Sequence, residues 1–498
     1  MSTAADQPAL LDMDQVRIDP AWALRVPASL AMRRQVLPFA SLDGQVFVAC
    51  VDAGDRSALE AVERCVRLPV RPQLAEPASL RRALNRVFGS GGSSPSGTRP
   101  RAGEPAGEAE SEGAVALSDE LLHAAILRQA SDIHIDPEEK QVIVRMRVDG
   151  ALERFRVLPP AAVHGLVSRL KVLGGMDIAE KRAPQDGRFT YRFGPSGQAI
   201  DIRLATLPTK YGERMTVRML ALQTESLTLE RLGMSVPDLA AFSTAIAKPH
   251  GLILLTGPTG SGKTTTLYAA IRKLIGQREQ NIVTVEDPIE YEISGVAQVE
   301  VDSADKVSFS KALRSILRHD PDVVMIGEIR DRETADVAIK AALTGHLVFS
   351  TLHTNSAASA ITRLADMGVD RYLIAATLRL AVAQRLVRRL CAHCRQPVKL
   401  GTAEAASLGS PEAAGQTVYT PGACMYCATR GFVGRLGLFE MLPVDEDLSR
   451  HIAAGANEGQ IVAEVRRRQI PRLVDDGLAK LRAGEATVQE VLAAVTIW

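Results

Sequence analysis

A chain of 498 residues leaves room for about three or four domains, and its formal net charge of +1 gives no electrostatic reason to expect a grip on nucleic acid or on an anionic membrane. No uninterrupted apolar run approaches the roughly 18 residues needed to cross a bilayer, and the stretch from Met1 to Gln15 has neither a basic start nor an apolar core. These features predict a cytosolic protein that reaches a membrane only through a partner or its surface, and in that compartment cysteines serve as metal ligands or buried thiols rather than disulfides.

Residues 1–88 read as a small α/β module. Val36–Phe39 and Gln45–Val51 are two strands around a Leu42-Asp-Gly turn, while 56–67 and 77–87 carry helical periodicity. Cys50 and Cys65 have no further ligand nearby and read as core thiols. Residues 89–115 are rich in Gly, Ser, Pro and charge, a composition that buries too little apolar surface to offset its ordering entropy, so they read as a flexible linker that leaves the first module free to move.

The third segment, 116–221, opens on a helix with Ser118 as its predicted N-cap and Leu121, Leu122, Ala125 and Ile126 on one side. Ala130–Pro137 and Val142–Gly150 then form a hairpin that sets Arg145 and Arg147 opposite Val144 and Met146. A second strand pair repeats the pattern with Arg203, Arg214 and Arg218. Such arginine rows are either a solvated face or an anion-facing surface, because guanidinium offers a fixed donor fork for phosphate. A link at 222–236 follows.

The remainder, 237–498, begins with the most informative stretch. Leu252–Leu255 make a buried strand, and Gly257, Pro258, Thr259, Gly260, Ser261, Gly262, Lys263, Thr264 and Thr265 match the phosphate loop G-x-x-x-x-G-K-T. The glycines let backbone amides turn in on an anion. Leu267, Ile271 and Leu274 then continue as a helix whose N-terminus also favours phosphate.

Three further apolar strands end in polar side chains: 281–286 in Glu286, Asp287 and Glu290, 322–328 in Glu328, and 346–355 in His353 and Asn355. They predict a crevice at the carboxyl ends of a parallel sheet. Phosphoryl transfer to water needs charge neutralisation and a positioned water, which Lys263, a Mg²⁺ held by Thr264 and an acid, and a carboxylate such as Glu286 or Glu328 supply. His353 is either a structural hydrogen bonder or a sensor of the γ-phosphate.

Cys391-Ala-His-Cys394 and Cys424-Met-Tyr-Cys427, with 29 residues between them, fit a closed tetrahedral Zn²⁺ site in a module at 388–440, with His393 as a possible substitute for one sulfur. Four thiolates leave no open position for a substrate water, so the metal is structural. The C-terminal part, 441–498, is helical in pattern, with Ile452, Ile461, Val465, Leu473, Leu478, Leu481, Val488 and Val491 as core positions.

Taken with Ala130–His134, Glu286–Glu290, Met325–Asp331, Ser350–Asn355 and Gly431–Glu440, the chain resembles the secretion ATPase superfamily, and within it the assembly ATPases of type II secretion and type IV pili. The resemblance implies an α/β protein: a RecA-like P-loop ATPase domain preceded by an α+β sheet domain, a small N-terminal module and a zinc-binding insert. It implies ATP, Mg²⁺ and Zn²⁺ as ligands and a homo-hexamer at the cytoplasmic side of a bacterial inner membrane. Its implied partners are a platform protein and a membrane-anchored adaptor bound by the N-terminal module.

The resemblance also makes Glu286 the general base, Glu328 the Mg²⁺ residue, His346–His353 the histidine box, and Arg203 and Arg218 nucleotide-contacting arginines. The cysteine and N-terminal modules favour assembly over retraction. The lack of an upstream helical motif that some pilus enzymes use for a cyclic dinucleotide tilts the reading towards secretion. A nucleic-acid motor gripping a strand through Arg385, Arg388 and Arg389 lacks the interleaved aromatics such a platform needs. A scaffold without turnover does not fit two intact acids.

Overall fold

A computed structural model describes residues 10–89, 106–193, 198–220, 228–277, 279–301 and 308–495. Its contacts divide the chain into two units. The first holds the chain up to Leu222 with Cys391–Gln396 and Pro421–Val433, and the second holds Gln223–Leu390, Pro397–Thr420 and Gly434–Trp498.

In the first unit, β1 (Val36–Leu42) and β2 (Gln45–Cys50) pair antiparallel, and β3 (Val70–Leu74) joins β2 in parallel. Helices Arg56–Val66 and Pro77–Phe88 cover this sheet with Val62, Val66, Leu80 and Leu84, as their periodicity predicts. The next helix departs from expectation. It runs from Ala106 to Arg128, well before Ser118, so part of the predicted linker is helical and residues 90–105 lie outside the described residues. Ser118 is no cap. Its hydroxyl bonds back to the carbonyl of Val115 at 2.8 Å, and Leu121, Leu122, Ala125 and Ile126 are buried as predicted.

Six antiparallel strands follow: β4 (Ala130–Pro137), β5 (Val142–Val148), β6 (Ala151–Leu158), β7 (Gln185–Phe193), β8 (Gln198–Thr209) and β9 (Gly212–Met219), in the order β6-β5-β4-β9-β8-β7. The N-terminal module, expected to move independently, shares one continuous buried cluster with this sheet, from Leu11 to Met219.

Among the described residues, the second unit is built on a seven-stranded sheet. β10 (Gly251–Thr256), β11 (Ile282–Glu286), β12 (Ala297–Glu300), β13 (Val323–Ile326), β14 (Leu347–Leu352) and β15 (Leu378–Leu390) precede the small two-stranded β16 (Gln396–Lys399) and β17 (Thr417–Thr420); β18 (Phe432–Pro443) completes the sheet. The order is β12-β11-β13-β14-β10-β15-β18, with the pairs from β12 to β15 parallel.

β10 is buried on both faces: Leu252 and Leu254 enter one core, Ile253 and Leu255 the other. That explains its uninterrupted apolar run. The predicted core positions from Ile452 to Val491 are all buried. The expected 388–440 module is not one body, because Leu400, Ala405, Leu408 and Val418, between the cysteine pairs, join the core of the second unit.

Candidate active site and metal centre

β10 ends at Thr256 and the chain turns through Gly257, Gly260 and Gly262, all with φ between +79° and +149°, where a side chain would be strained. Gly262 then sits at the N-terminus of the helix Lys263–Ile275. Lys263 is 8% exposed and its ammonium donates to the carbonyls of Gly257 at 2.7 Å and Pro258 at 3.0 Å. Burial pushes its pKa down to about 8, against the opposing pull of the Glu328 charge, while Arg385 adds to the depression. Thr264 and Thr265 are half-buried on the first turn of the helix, and Ser261 is buried.

Because β11, β13, β14 and β10 are adjacent and parallel, their carboxyl ends share one edge. Val285 pairs with Ile326, Ile326 with Ser350, and Thr256 with Leu352. Glu328, just past β13, therefore meets His353, just past β14: Nε2 lies 3.2 Å from the carboxylate. Arg330 also pairs with Glu328. Thr256 Oγ1 binds Thr354 through its amide at 2.8 Å and its carbonyl at 2.9 Å, so the start of the phosphate loop and the segment after His353 are stitched together. His346, at the other end of β14, faces away and contacts the Ala341 carbonyl at 2.9 Å.

Glu286 behaves differently. It is 3% exposed, and one carboxylate oxygen accepts from Thr284 at 2.6 Å and Gln298 at 3.1 Å while the other accepts from the Tyr268 hydroxyl on the phosphate-loop helix. Burial beside this carboxylate holds the Tyr268 phenol well above its ordinary range. Glu290, four residues on, is exposed.

The arginines of the first unit fall in one cross-strand row. Arg188 of β7 opposes Arg203 of β8, which opposes Arg218 of β9, then Asp132 of β4 and Arg147 of β5. Asp132 takes Arg218 at 3.0 Å and Arg147 at 3.9 Å, and Asp136 takes Arg145 and Arg214 at 2.6 and 2.7 Å. Arg188 and Arg203 have no ion pair among the described residues. Like charges directly opposed on one sheet face are unfavourable, so this end of the row is suited to an anion. Asp132 and Asp136 were missed as partners, although their period-two spacing within Ala130–Pro137 places them on the arginine face.

The four cysteine sulfurs lie within 4.8 Å of one another. Cys391 is 3.8 Å from Cys424, and Cys427 is 3.8 Å from Cys394 and 3.7 Å from Cys424. A tetrahedron with zinc–sulfur bonds of roughly 2.3 Å has edges of about 3.8 Å, so the donor set and its spacing fit a structural metal ion. Gly431 N donates to the Cys427 sulfur at 3.2 Å. His393 is not part of the cluster; its ring stacks on Tyr426 at 3.8 Å.

Around the cluster, Tyr426 O accepts from Arg17 N at 3.0 Å, Arg430 pairs with Glu153 at 2.7 Å, and Arg17 pairs with Asp149 at 2.7 Å. The cysteine hairpin thus touches both the N-terminal module and the β5–β6 hairpin. Of the basic residues of a nucleic-acid reading, Arg385 is buried, Arg388 holds Glu490 at 2.7 Å, and Arg389 is exposed and lies 3.8 Å from Glu485.

A family model described as type II/IV secretion system protein matches residues 108–493, and one described as the MshEN domain matches residues 6–94. The chain belongs to the type II/IV secretion system protein family. It is an ATPase of that family.

Among family members, type II secretion system protein E of Pseudomonas aeruginosa is 42% identical across 94% of this chain and 95% of its own length. Type II secretion system ATPase E of Vibrio cholerae is 46% identical across 76% of this chain and 74% of its own. The type IV pilus assembly ATPase PilB of Thermus thermophilus is 39% identical across 97% of this chain but 56% of its own.

Among solved structures, the pilus retraction motor PilT with bound ADP is 26% identical, with a TM-score of 0.51 over 75% of this chain and 96% of that one. The Legionella pneumophila ATPase DotB, at 23% identity, shares the fold with a TM-score of 0.58 over 76% and 95%. No helix among the described residues is long and apolar enough to cross a membrane.

Proposed function

We propose that this ATPase is the motor of a type II secretion system, a homo-hexamer at the cytoplasmic face of a bacterial inner membrane that drives pseudopilus assembly. It would act on a platform protein and bind a membrane-anchored adaptor through its N-terminal module. The observation that carries the enzymatic part is the meeting, at the carboxyl ends of three adjacent parallel strands, of the phosphate loop with Lys263 after β10, Glu328 after β13 and His353 after β14, with the charge of Glu328 felt at Lys263.

In this reading Gly257–Thr265 cradle the phosphates of ATP, and Thr264 and Glu328 hold Mg²⁺, which neutralises charge on the transferred phosphoryl group when bound. His353 orients Glu328. Arg203 and Arg218 supply positive charge from a neighbouring subunit, the role in which such arginines accelerate phosphoryl transfer by about 10³ to 10⁵. Cys391, Cys394, Cys424 and Cys427 hold Zn²⁺ for structure alone.

Proton abstraction is assigned differently from the expectation at Glu286. A general base must come within hydrogen-bond reach of the attacking water, and Glu286 is buried with three hydrogen bonds, from Tyr268, Thr284 and Gln298, on its roughly four acceptor positions. That bonding supports a positioning role for Glu286 and gives the base role to exposed Glu290 on the same loop. Turnover by the purified full-length chain should disappear in Glu328→Ala and Glu290→Gln with nucleotide still bound. A Glu290→Gln variant with wild-type turnover returns the base role to Glu286, and an active Glu328→Ala sinks the whole site.

Type IV pilus extension is the second reading, favoured by the match to PilB along 97% of this chain. Neighbouring genes separate the two, because secretion and pilus operons differ in their other members.

A further inference from the structure

Behind the phosphate loop, on β15, stand two polar residues that the active-site reading does not use. Gln384 Oε1 accepts from Thr266 Oγ1 at 2.9 Å, so it engages the helix that the loop opens. Arg385 is 4% exposed. One terminal nitrogen donates to the Asn355 carbonyl at 3.0 Å and approaches its side-chain oxygen at 3.4 Å, and the other donates to the Gln384 carbonyl at 3.1 Å. A methyl group placed on Gly257 would stand 3.0 Å from this guanidinium and 2.7 Å from Ser261 Oγ, so the arginine rests directly against the first glycine of the loop. Arg385 Nε and Ser261 Oγ are both buried without a hydrogen-bond partner among the described residues.

Burying a guanidinium is costly unless it is paired, and packing alone would be served as well by an apolar side chain. Arg385 has no ion pair among the described residues. Burial holds its pKa down, and the charge that opposes this is Glu440, which itself accepts from the amides of Ala357 and Leu473 at 2.8 and 3.4 Å. What the arginine does is donate to the segment two residues beyond His353 while lying against the first glycine of the phosphate loop.

We infer that Arg385 is a positioning residue of the ATPase reaction: it braces Gly257 against Asn355 and so fixes the distance between the phosphate cradle and the Glu328–His353 pair. The Thr256–Thr354 bonds set this separation from within β10 and β14, and Arg385 sets it from the β15 side. The brace touches no reacting atom. Its loss should therefore leave nucleotide binding nearly intact while slowing the chemical step, since misplacement by about 1 Å at a distance can cost up to about a hundredfold.

The test is steady-state kinetics on the full-length chain carrying Arg385→Gln or Arg385→Lys, with thermal melting and the binding of a fluorescent ADP analogue measured alongside. The expected result for Arg385→Gln is a kcat lowered by about tenfold or more with KM and analogue affinity within about threefold of wild type. Arg385→Lys keeps the charge but not the fork, so it should fall between the two, and it carries the test if the glutamine variant does not fold.

A folded variant with unchanged kcat, or one whose KM rises in step with the fall in kcat, overturns the inference. Because it rests on the phosphate-loop reading, Lys263→Ala serves as control. An active control refutes that reading, whereas a dead control beside normal Arg385 variants refutes only the brace.

Discussion

Lys263 carries a pH signature that follows from its surroundings. In the free protein its ammonium is buried against two loop carbonyls and its pKa falls to about 8, below the 10.5 of a free lysine. Phosphate binding requires the charged form. Below about pH 8 the proton is already in place and affinity should be flat; above it, binding must recapture a proton, so affinity should weaken by up to about tenfold per pH unit. Titration calorimetry with a non-hydrolysable ATP analogue from pH 6.5 to 9.5 checks this, and a flat profile to pH 9.5 contradicts the depressed value.

The chemistry of Lys263 was legible because the phosphate loop is a local pattern, fixed by the spacing of three glycines and one lysine. The state of Glu286 was not. Its partners Tyr268 and Gln298 lie 18 and 12 residues away, on a helix and on the edge strand β12, and only the register of the sheet brings them to one carboxylate.

At the level of single elements, the row across β7, β8, β9, β4 and β5 sets function against stability. Arg203 stands between Arg188 and Arg218 with no acid of its own among the described residues, so replacing it should relieve repulsion. Arg203→Gln is expected to raise the stability of the first unit by about 0.2 to 1 kcal/mol, read from urea unfolding, while turnover by the assembled enzyme falls. A variant that loses stability together with activity would mark Arg203 as structural.

Alternation exposed the arginine faces in the sequence, since period two is a property of one strand. Which strands are neighbours is not, and so the assignment of Asp132 to Arg218 and Arg147 appeared only with the order β5-β4-β9. The misplaced helix start has a similar origin. Ser118 followed by two acids has the composition of a cap, but alanine and glutamate upstream continue the helix and the hydroxyl bonds backwards instead.

For the molecule as a whole, the tetracysteine cluster is expected to hold the N-terminal module in place. Tyr426 and Arg430, which flank Cys427, contact Arg17 of the N-terminal module and Glu153 of β6. Metal analysis after purification without chelator should give close to one Zn²⁺ per chain, and fewer than one per two chains counts against the site.

Stripping the metal with a chelator and a thiol reagent should speed hydrogen exchange around Arg17 and at Asp149 to Glu153 while leaving β10 and β14 protected. Equal loosening of both units would mean that the cluster stabilises the fold generally. The cysteine pairs themselves were readable from their spacing. Their membership of the first unit was not, because no local pattern tells a chain that leaves one body where it will settle.

That membership limits how the chain can be cut into fragments. The backbone passes between the two units at 222/223, 390/391, 396/397, 420/421 and 433/434, five crossings in all. The first unit is thus not one continuous stretch of sequence. A fragment that stops at residue 222 would therefore lack two pieces of its own unit, Cys391–Gln396 and Pro421–Val433, and with them all four cysteines of the cluster.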